Sequence, residues 1–200
     1  MKSPVIRIGD VSEQIRGVSY GKEDASRVPR PGYLPVLRAG HITEHGLDLN
    51  DLVFVPGARV SAKQRVRKND LVIAASSGSL AVVGKAARAL NDFEGGFGAF
   101  CKVLRPTRQV DPGYFSEFFR TPDYRRRISA LATGANINNL RSEHLDDLFM
   151  PFPAVSEQRR ISFSAGRTPP NWLERWPTWI LIILTSCCQT SFGDSFGAGR

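Results

Sequence analysis

Positively charged, amide and hydroxyl side chains gather in the segments between the apolar runs of this chain. Lysine and arginine suit phosphate groups, whereas guanidinium, amide and hydroxyl groups can bond to the edges of nucleic-acid bases. The net charge of +8 over 200 residues also favours a polyanionic ligand. The residues predicted to contact DNA are Arg27, Arg38, Lys63, Arg65, Ser77, Ser79, Lys85, Asn136, Asn138 and Asn139.

A less specific interpretation stays open for each of these residues. A single lysine or arginine is often only a solvated surface charge, and asparagines such as Asn138 and Asn139 also form turns. Arg38 stands out because a backbone could approach DNA closely at the neighbouring Ala39 and Gly40. The net charge alone is also compatible with a basic protein that has no nucleic-acid ligand.

No arrangement of residues indicates catalysis. The glycine loop that holds S-adenosylmethionine needs a strand before it and a helix after it. The run Phe196-Gly197-Ala198-Gly199 is followed by one residue only. Asp111-Pro112-Gly113-Tyr114 resembles a box of amino-methyltransferases, but a capped helix start explains it better.

Metal-dependent chemistry is not indicated either. Nuclease sites cluster carboxylates around the ion, while the pairs Glu23-Asp24 and Asp146-Asp147 are typical of solvated surface. His41, His45 and His144 are scattered and have no cysteine or acidic partner at ligand spacing. We therefore expect no catalytic residue, no metal and no cofactor.

Short strands are predicted in the first half of the chain and helices in the second. The predicted strands are apolar runs bounded by Gly, Asn, Asp or Pro: Leu34–Leu37, Leu52–Val55, Leu71–Ala75, Leu80–Val83 and Phe97–Leu104. Asp111-Pro112 and Thr121-Pro122 are helix-start signals, and Gly134 is placed to end the second helix. Strands first and helices later favour an α+β fold.

Residues 134 to 161 combine an Asn-rich turn, a short helix, an extended segment and the start of another helix. Ser142 and Ser156 are predicted helix caps, whereas Pro151 and Pro153 prevent helix and favour extended backbone. This segment resembles the end of a target recognition domain in the specificity (S) subunits of type I restriction–modification systems.

Upstream blocks occur in the same order as in that family. They are Ile8–Val11 with Gly17, Leu34–Ile42, Asn69–Ile73 with Ser77-Gly78, and Val83–Lys85. The resemblance extends over about residues 5 to 161. No single block is specific to the family, but the order of the whole set of blocks is fairly specific. It implies a mixed, β-sheet-rich target recognition domain that is followed by short helices and by the start of a spacer helix.

The resemblance also implies a function. A chain with one such domain would be non-catalytic and would recognise one half of a bipartite double-stranded DNA sequence, whereas full-length family members have two such domains. It would dock methyltransferase (M) subunits and, through them, restriction (R) subunits. Half-length members can pair through their helices, so a homodimer stays open. The sequence is also compatible with a recognition-domain fragment of a fused DNA methyltransferase/nuclease, a protein-interaction module, or a decayed product without function.

Three segments are expected along the chain. Residues 1–155 would form the DNA target recognition domain, and residues 156–167 would begin a truncated spacer helix. Residues 168–200 would be an atypical, poorly ordered tail, since Pro169-Pro170 prevents the helix from continuing. We hypothesise that a shifted reading frame or a rearranged gene end produced residues 162–200. A genuine lineage-specific tail is the alternative.

The remaining composition favours a cytoplasmic protein. Three cysteines give neither a disulfide framework nor metal-ligand spacing. The N-terminal residues lack the apolar segment of a signal peptide. The longest apolar run, Trp179–Leu184, is much shorter than the roughly 20 residues that cross a bilayer. No membrane partner is expected.

Overall fold

The computed structural model describes residues 4–134 and 139–165. The strands in these ranges are β1 Val5–Arg7, β2 Ser12–Arg16, β3 Tyr33–Leu37, β4 Ile42–Thr43, β5 Gly46–Leu47, β6 Val53–Pro56, β7 Leu71–Ala74, β8 Ala86–Arg88, β9 Gly96–Phe97, β10 Cys101–Pro106 and β11 Phe149–Pro151. The α-helices are α1 Ile8–Val11, α2 Pro112–Phe118, α3 Pro122–Gly134, α4 Ser142–Asp146 and α5 Val155–Ala165. Short 3-10 turns occupy Ala39–His41, Gly57–Arg59 and Ala62–Gln64.

An antiparallel sheet in the order β2-β10-β7-β8 forms the centre of the molecule. Its register pairs Val103 of β10 with Ile15 of β2 on one side and with Val72 of β7 on the other. A second sheet, β6-β3-β9, is mixed, because β3 runs parallel to β9 and antiparallel to β6. β1 and β11 form a separate antiparallel pair. The predicted α+β class is confirmed.

The two faces of the central sheet bury two different apolar clusters. Leu71, Ile73 and Leu104 point to the helices and pack with the aromatic residues of α2 and α3. Val72 and Val103 point the other way and pack against Phe97 and Leu37 of the second sheet. This alternation follows from the two-residue period of a strand. The fold therefore has three layers, with the central sheet between a layer of helices and the second sheet.

The predicted starts of the two longer helices are confirmed. The Asp111 carboxylate accepts a hydrogen bond from the Tyr114 amide at 2.9 Å, and the Thr121 hydroxyl accepts one from the Tyr124 amide at 3.1 Å. Each bond satisfies an N–H group that the first turn leaves without an intrahelical partner. α3 ends at Gly134, as predicted.

Three local predictions are wrong. Leu80–Val83 is a series of turns instead of a strand, and the strand β8 begins only after Gly84, whose φ is +79°. Ser142 lies inside α4, which Arg141 precedes, and its hydroxyl accepts from Lys102 instead of capping. α5 begins one residue before Ser156, so that Ser156 belongs to its first turn.

The first turns of α5 are anchored to the rest of the molecule. Gln158 is fully buried; its side chain accepts from the Asp111 amide at 2.8 Å and donates to the Pro153 carbonyl at 2.8 Å. The division of the chain at residue 155 stays a prediction, and the atypical tail from residue 168 onward lies outside the described residues.

Candidate functional site

Two neighbouring clefts lie at the end of the central sheet where β7 stops and β10 begins, and a third adjoins them beside the second sheet. We name them by one lining residue each. The Arg27 cleft is lined by Tyr20, Lys22, Arg27 and Arg38 among others, the Phe100 cleft by Arg38, Asn50, Ser76, Ser77 and Phe100 among others, and the Lys102 cleft by Arg16, Lys102, Asn139 and Arg141 among others.

Arg38 stands at the junction of the first two clefts. Its guanidinium donates from Nη2 to the carbonyl of Asp51 at 3.0 Å and is 3.5 Å from the Asp51 carboxylate. The Arg38 amide donates to Nδ1 of the buried His41 at 2.8 Å, which closes the turn Ala39–His41. Backbone and side chain of Arg38 are therefore both held, while its side chain keeps 43% of its surface exposed.

The Phe100 cleft, of about 600 Å³, joins an exposed aromatic ring to polar groups. Phe100 is 68% exposed, although its carbonyl accepts from the amides of both Ala75 and Ser76, at 2.9 and 3.0 Å. Two hydrogen bonds to the end of β7 thus fix the backbone that carries this ring. A fixed, exposed ring beside hydroxyl, amide and guanidinium groups can contact a base face or a thymine methyl group.

A close backbone approach determines where the Phe100 loop lies. A Cβ atom added to Gly17 would meet the carbonyl oxygen of Gly98, so only glycine fits at position 17 without rearrangement. Val18 next to it donates to the Phe97 carbonyl at 2.7 Å. The segment after β2 is therefore packed directly against the loop that leads to Phe100.

The Lys102 cleft has a volume of about 440 Å³ and an excess of positive charge. Arg16 and Arg141 are exposed at its edge, whereas Lys102 is 8% exposed. Glu143 is the acidic residue in its lining, and it is paired with Arg141 at 3.2 Å. The cleft thus offers cations to an anionic ligand.

The pKa of the Lys102 ammonium is below its ordinary value. Burial is the main cause, and the positive charge of Arg16, which faces Lys102 across the β2–β10 pair, adds to it. The more distant carboxylates of Asp146 and Glu143 oppose this shift and do not cancel it. The fold therefore holds a lysine where its positive charge is disfavoured.

The structure brings five of the predicted DNA-contacting residues to this end of the sheet in or beside the clefts. Arg27, Arg38, Ser77 and Asn139 line the clefts. Ser79 is exposed in the adjoining turn, where its amide donates to the Ser77 hydroxyl at 3.2 Å. Asn139 also forms a β-bridge with Ser76, which joins the Phe100 and Lys102 clefts.

Lys85 lies at the same end of the sheet, outside the lining of these clefts. Its carbonyl accepts from the Ala74 amide at 2.9 Å, and its side chain is half-buried. Asn136 and Asn138 lie outside the described residues. Their predicted DNA contacts, like those of the other candidates, stay predictions.

Lys63 and Arg65 lie apart from the three clefts. Both precede β7, whereas Ser76 and Ser77 follow it, and a strand of four residues is about 13 Å long. The Lys63 ammonium is paired with the Glu13 carboxylate at 2.5 Å. Nearby, Lys68, Arg108 and Arg159 line a further cleft of about 330 Å³. The predicted contacts therefore divide between two ends of the sheet.

Cations of α3 have structural roles. Arg125 donates to the carbonyls of Val83 and Ala81, at 3.0 and 3.3 Å, and so holds the turns between β7 and β8. Arg126 and Arg127 are paired with Asp123 at 3.2 and 2.9 Å. These contacts of all three arginines are made within the described fold, on α3 itself or with the turns before β8.

Sequence reasoning missed Phe100, Asn50, Arg16, Lys102 and Arg141. Phe100 and Lys102 lie in the apolar run Phe97–Leu104, which predicts one continuous buried strand. The structure has two strands there, β9 and β10, and the loop between them exposes Phe100. A lysine within an otherwise apolar run is the signal that could have identified Lys102, since lysine is rarely buried.

Neither a metal-ligand cluster nor a membrane-spanning helix is found in the described part of the chain. No group of three or more His, Cys, Asp and Glu residues is arranged to hold a metal ion within residues 4–134 and 139–165. In the same ranges, none of the helices combines the length and the apolar composition that crossing a membrane requires.

Comparison with known proteins identifies relatives by sequence. The specificity subunit of the StySPI type I restriction enzyme of Salmonella potsdam is 43% identical over 155 residues, which is 78% of this chain and 34% of the relative. The EcoKI specificity subunit of Escherichia coli K12 is 43% identical over 155 residues, 78% of this chain and 33% of the relative. The chain spans about a third of the length of these curated relatives. No family model matches.

A solved structure agrees with the fold. The HsdS subunit from Thermoanaerobacter tengcongensis superposes with a TM-score of 0.59 at 14% identity, over 94% of this chain and 40% of that subunit. The predicted resemblance is thus confirmed at the level of sequence by the two curated relatives and at the level of fold by this structure. The chain belongs to the family of type I restriction–modification specificity subunits.

Proposed function

We propose that this chain is the target recognition unit of a half-length specificity subunit, and that it binds duplex DNA at its three clefts. The supporting observation is the order of the side chains along the row of clefts. Cations predominate in the outer two clefts, and the Phe100 cleft between them, which shares Arg38 with the Arg27 cleft, adds an amide, two serines and an aromatic ring. Phosphate contacts at both sides and base contacts between them match that order.

The central cleft also carries two carboxylates, which suit base contacts better than phosphate contacts. Asp48 accepts from the Asn50 side chain at 2.7 Å, and Asp51 holds Arg38. Carboxylates repel phosphates but accept hydrogen bonds from the amino group of cytosine, whereas arginine donates to guanine. This mixture supports sequence-dependent binding over purely electrostatic attraction.

The chain would not itself catalyse a reaction. We propose that it assembles with a methyltransferase (M) subunit and, through that subunit, with a restriction (R) subunit. A homodimer is a further proposed assembly. A fragment of a fused methyltransferase/nuclease, by contrast, would transfer a labelled methyl group from S-adenosylmethionine to DNA as the purified chain alone. We expect no transfer in that assay.

The proposal is tested by titrating the purified chain into a fluorescent duplex of random sequence and following the anisotropy at several NaCl concentrations. We expect weak binding whose logarithmic affinity falls linearly with log[NaCl], by about 0.9 for each phosphate neutralised. Selection from a pool of random duplexes should then enrich a short sequence. Absence of salt-sensitive binding would contradict a DNA-binding function.

A further inference from the structure

Lys102 is 8% exposed as a residue, and its ammonium group lacks a full set of hydrogen-bond partners. An ammonium group has three donors, and the bond that the structure shows for Lys102 is a long one, 3.3 Å to the Ser142 hydroxyl. Among the residues that the structure describes, no carboxylate forms an ion pair with it. A partly buried ammonium without a counter-charge is costly to the fold.

The nearby carboxylates are bonded to other groups. Glu143 is paired with Arg141, and Asp146 accepts from the side-chain amide of Gln14 at 2.8 Å. Arg16, by contrast, brings a second positive charge to the cleft. The lining thus has three cations and one carboxylate, and that carboxylate is paired with Arg141 instead of Lys102.

We propose that the Lys102 cleft is the site for a single backbone phosphate of the DNA. Lysine binds phosphate as a compact point charge, and Arg16 and Arg141 at the edge of the cleft would meet the other phosphate oxygens. A phosphate held there would fix the position of the duplex relative to Phe100, since Phe100 and Lys102 are carried by the same stretch of backbone. This inference rests on the proposed function.

The test compares Lys102→Gln with Arg160→Gln, because each removes one positive charge and Arg160 is exposed on α5, away from the clefts. Binding to a random duplex is measured against NaCl concentration. We expect the slope of log affinity against log[NaCl] to fall by about 0.9 in Lys102→Gln. The slope of Arg160→Gln should stay that of the original chain. Arg16→Ala, on the exposed edge, should also lower the slope, and it tests the site without altering the core.

A second arm distinguishes DNA phosphate from free phosphate. A single methylphosphonate is placed at successive positions of a selected duplex, which removes one backbone charge at a time. At one position the loss of affinity should be large for the original chain and absent for Lys102→Gln. A different result would assign the cleft to a free anion and overturn the proposal. In that case, inorganic phosphate would raise the thermal midpoint of the original chain and not that of Lys102→Gln, and the two proteins would have equal slopes of log affinity against log[NaCl].

Two outcomes separate this inference from the proposed function. If the original chain binds DNA and the slopes of Lys102→Gln and Arg16→Ala are unchanged, the phosphate site is wrong and the DNA-binding function stands. If the original chain shows no salt-sensitive binding to DNA, both are wrong.

Discussion

The guanidinium of Arg38 is held by Asp51, through a 3.0 Å hydrogen bond to the Asp51 carbonyl and a 3.5 Å contact with its carboxylate. Asp51 itself has a φ of +51°, and it presents both its carbonyl and its carboxylate to the same guanidinium. The pairing orients Arg38 at the junction of the Arg27 and Phe100 clefts before any ligand arrives. An oriented guanidinium loses less conformational entropy on binding.

Replacing Arg38 should weaken binding to a preferred DNA sequence more than binding to DNA of random sequence. If Arg38 contacts a base, Arg38→Ala should weaken binding to a selected duplex by about 1–3 kcal/mol and binding to random duplex by less. Anisotropy titrations with both duplexes measure the two losses. Arg160→Ala serves as the control. Equal losses on both duplexes would show that Arg38 contacts only phosphate.

The exposed ring of Phe100 should contribute to DNA binding and little to stability. Phe100→Ala should change the free energy of unfolding by less than about 0.5 kcal/mol, because the ring is mostly in solvent. It should weaken binding to a selected duplex by about 1–3 kcal/mol if the ring stacks on a base. Leu90→Ala, another exposed apolar residue, provides the comparison. Unchanged affinity would exclude a stacking role for Phe100.

The ion pair between Arg105 and Asp70 should be the most sensitive charge pair of the central sheet. The Asp70 carboxylate is 1% exposed and accepts from Arg105 Nε and Nη2, both at 2.8 Å, and from the Arg67 amide. Asp70→Asn removes the buried carboxylate partner of Arg105 and should cost about 3–5 kcal/mol. Urea denaturation measures the loss. Asp147→Asn, in the exposed Arg7 pair, should cost less than about 1 kcal/mol.

Local signals explain which parts of this fold could be predicted from sequence. The starts of α2 and α3 depend on Asp111-Pro112 and Thr121-Pro122, whose capping bonds are made within three residues. The turns at Leu80–Val83 could not be predicted, since Arg125 holds them from about 40 residues away. The site shows the same difference between local and distant contacts. The sequence predicts that Arg27 and Arg38 lie outside the strands, because the strand boundaries are local. It does not predict the burial of Lys102, because that burial depends on how β10 packs against the rest of the fold.

The acidity of Glu117 should make stability depend on pH. Burial raises the pKa of this carboxyl, and the pairing with Arg120 at 3.3 Å only partly opposes that effect. A folded-state pKa above the unfolded-state value means that ionisation opposes folding. The ionised carboxylate therefore lowers the free energy of unfolding at neutral pH. This loss of stability shrinks as the pH falls through the raised pKa, and it is absent below the ordinary carboxyl pKa of 4.5.

Glu117→Gln tests this dependence. The substitution should raise the free energy of unfolding at pH 7, and the difference from the original chain should disappear toward pH 4. Denaturation curves at a series of pH values measure it. A difference that is constant with pH would contradict a raised pKa.

The buried amide of Gln158 has a mechanical consequence. Because it ties the first turns of α5 to the Asp111 amide and the Pro153 carbonyl, this helix is fixed at its base to the start of α2. Eleven helical residues extend about 16 Å beyond that base. A force applied to the far end of α5 would therefore be transmitted to α2 and to the aromatic core that α2 contributes to.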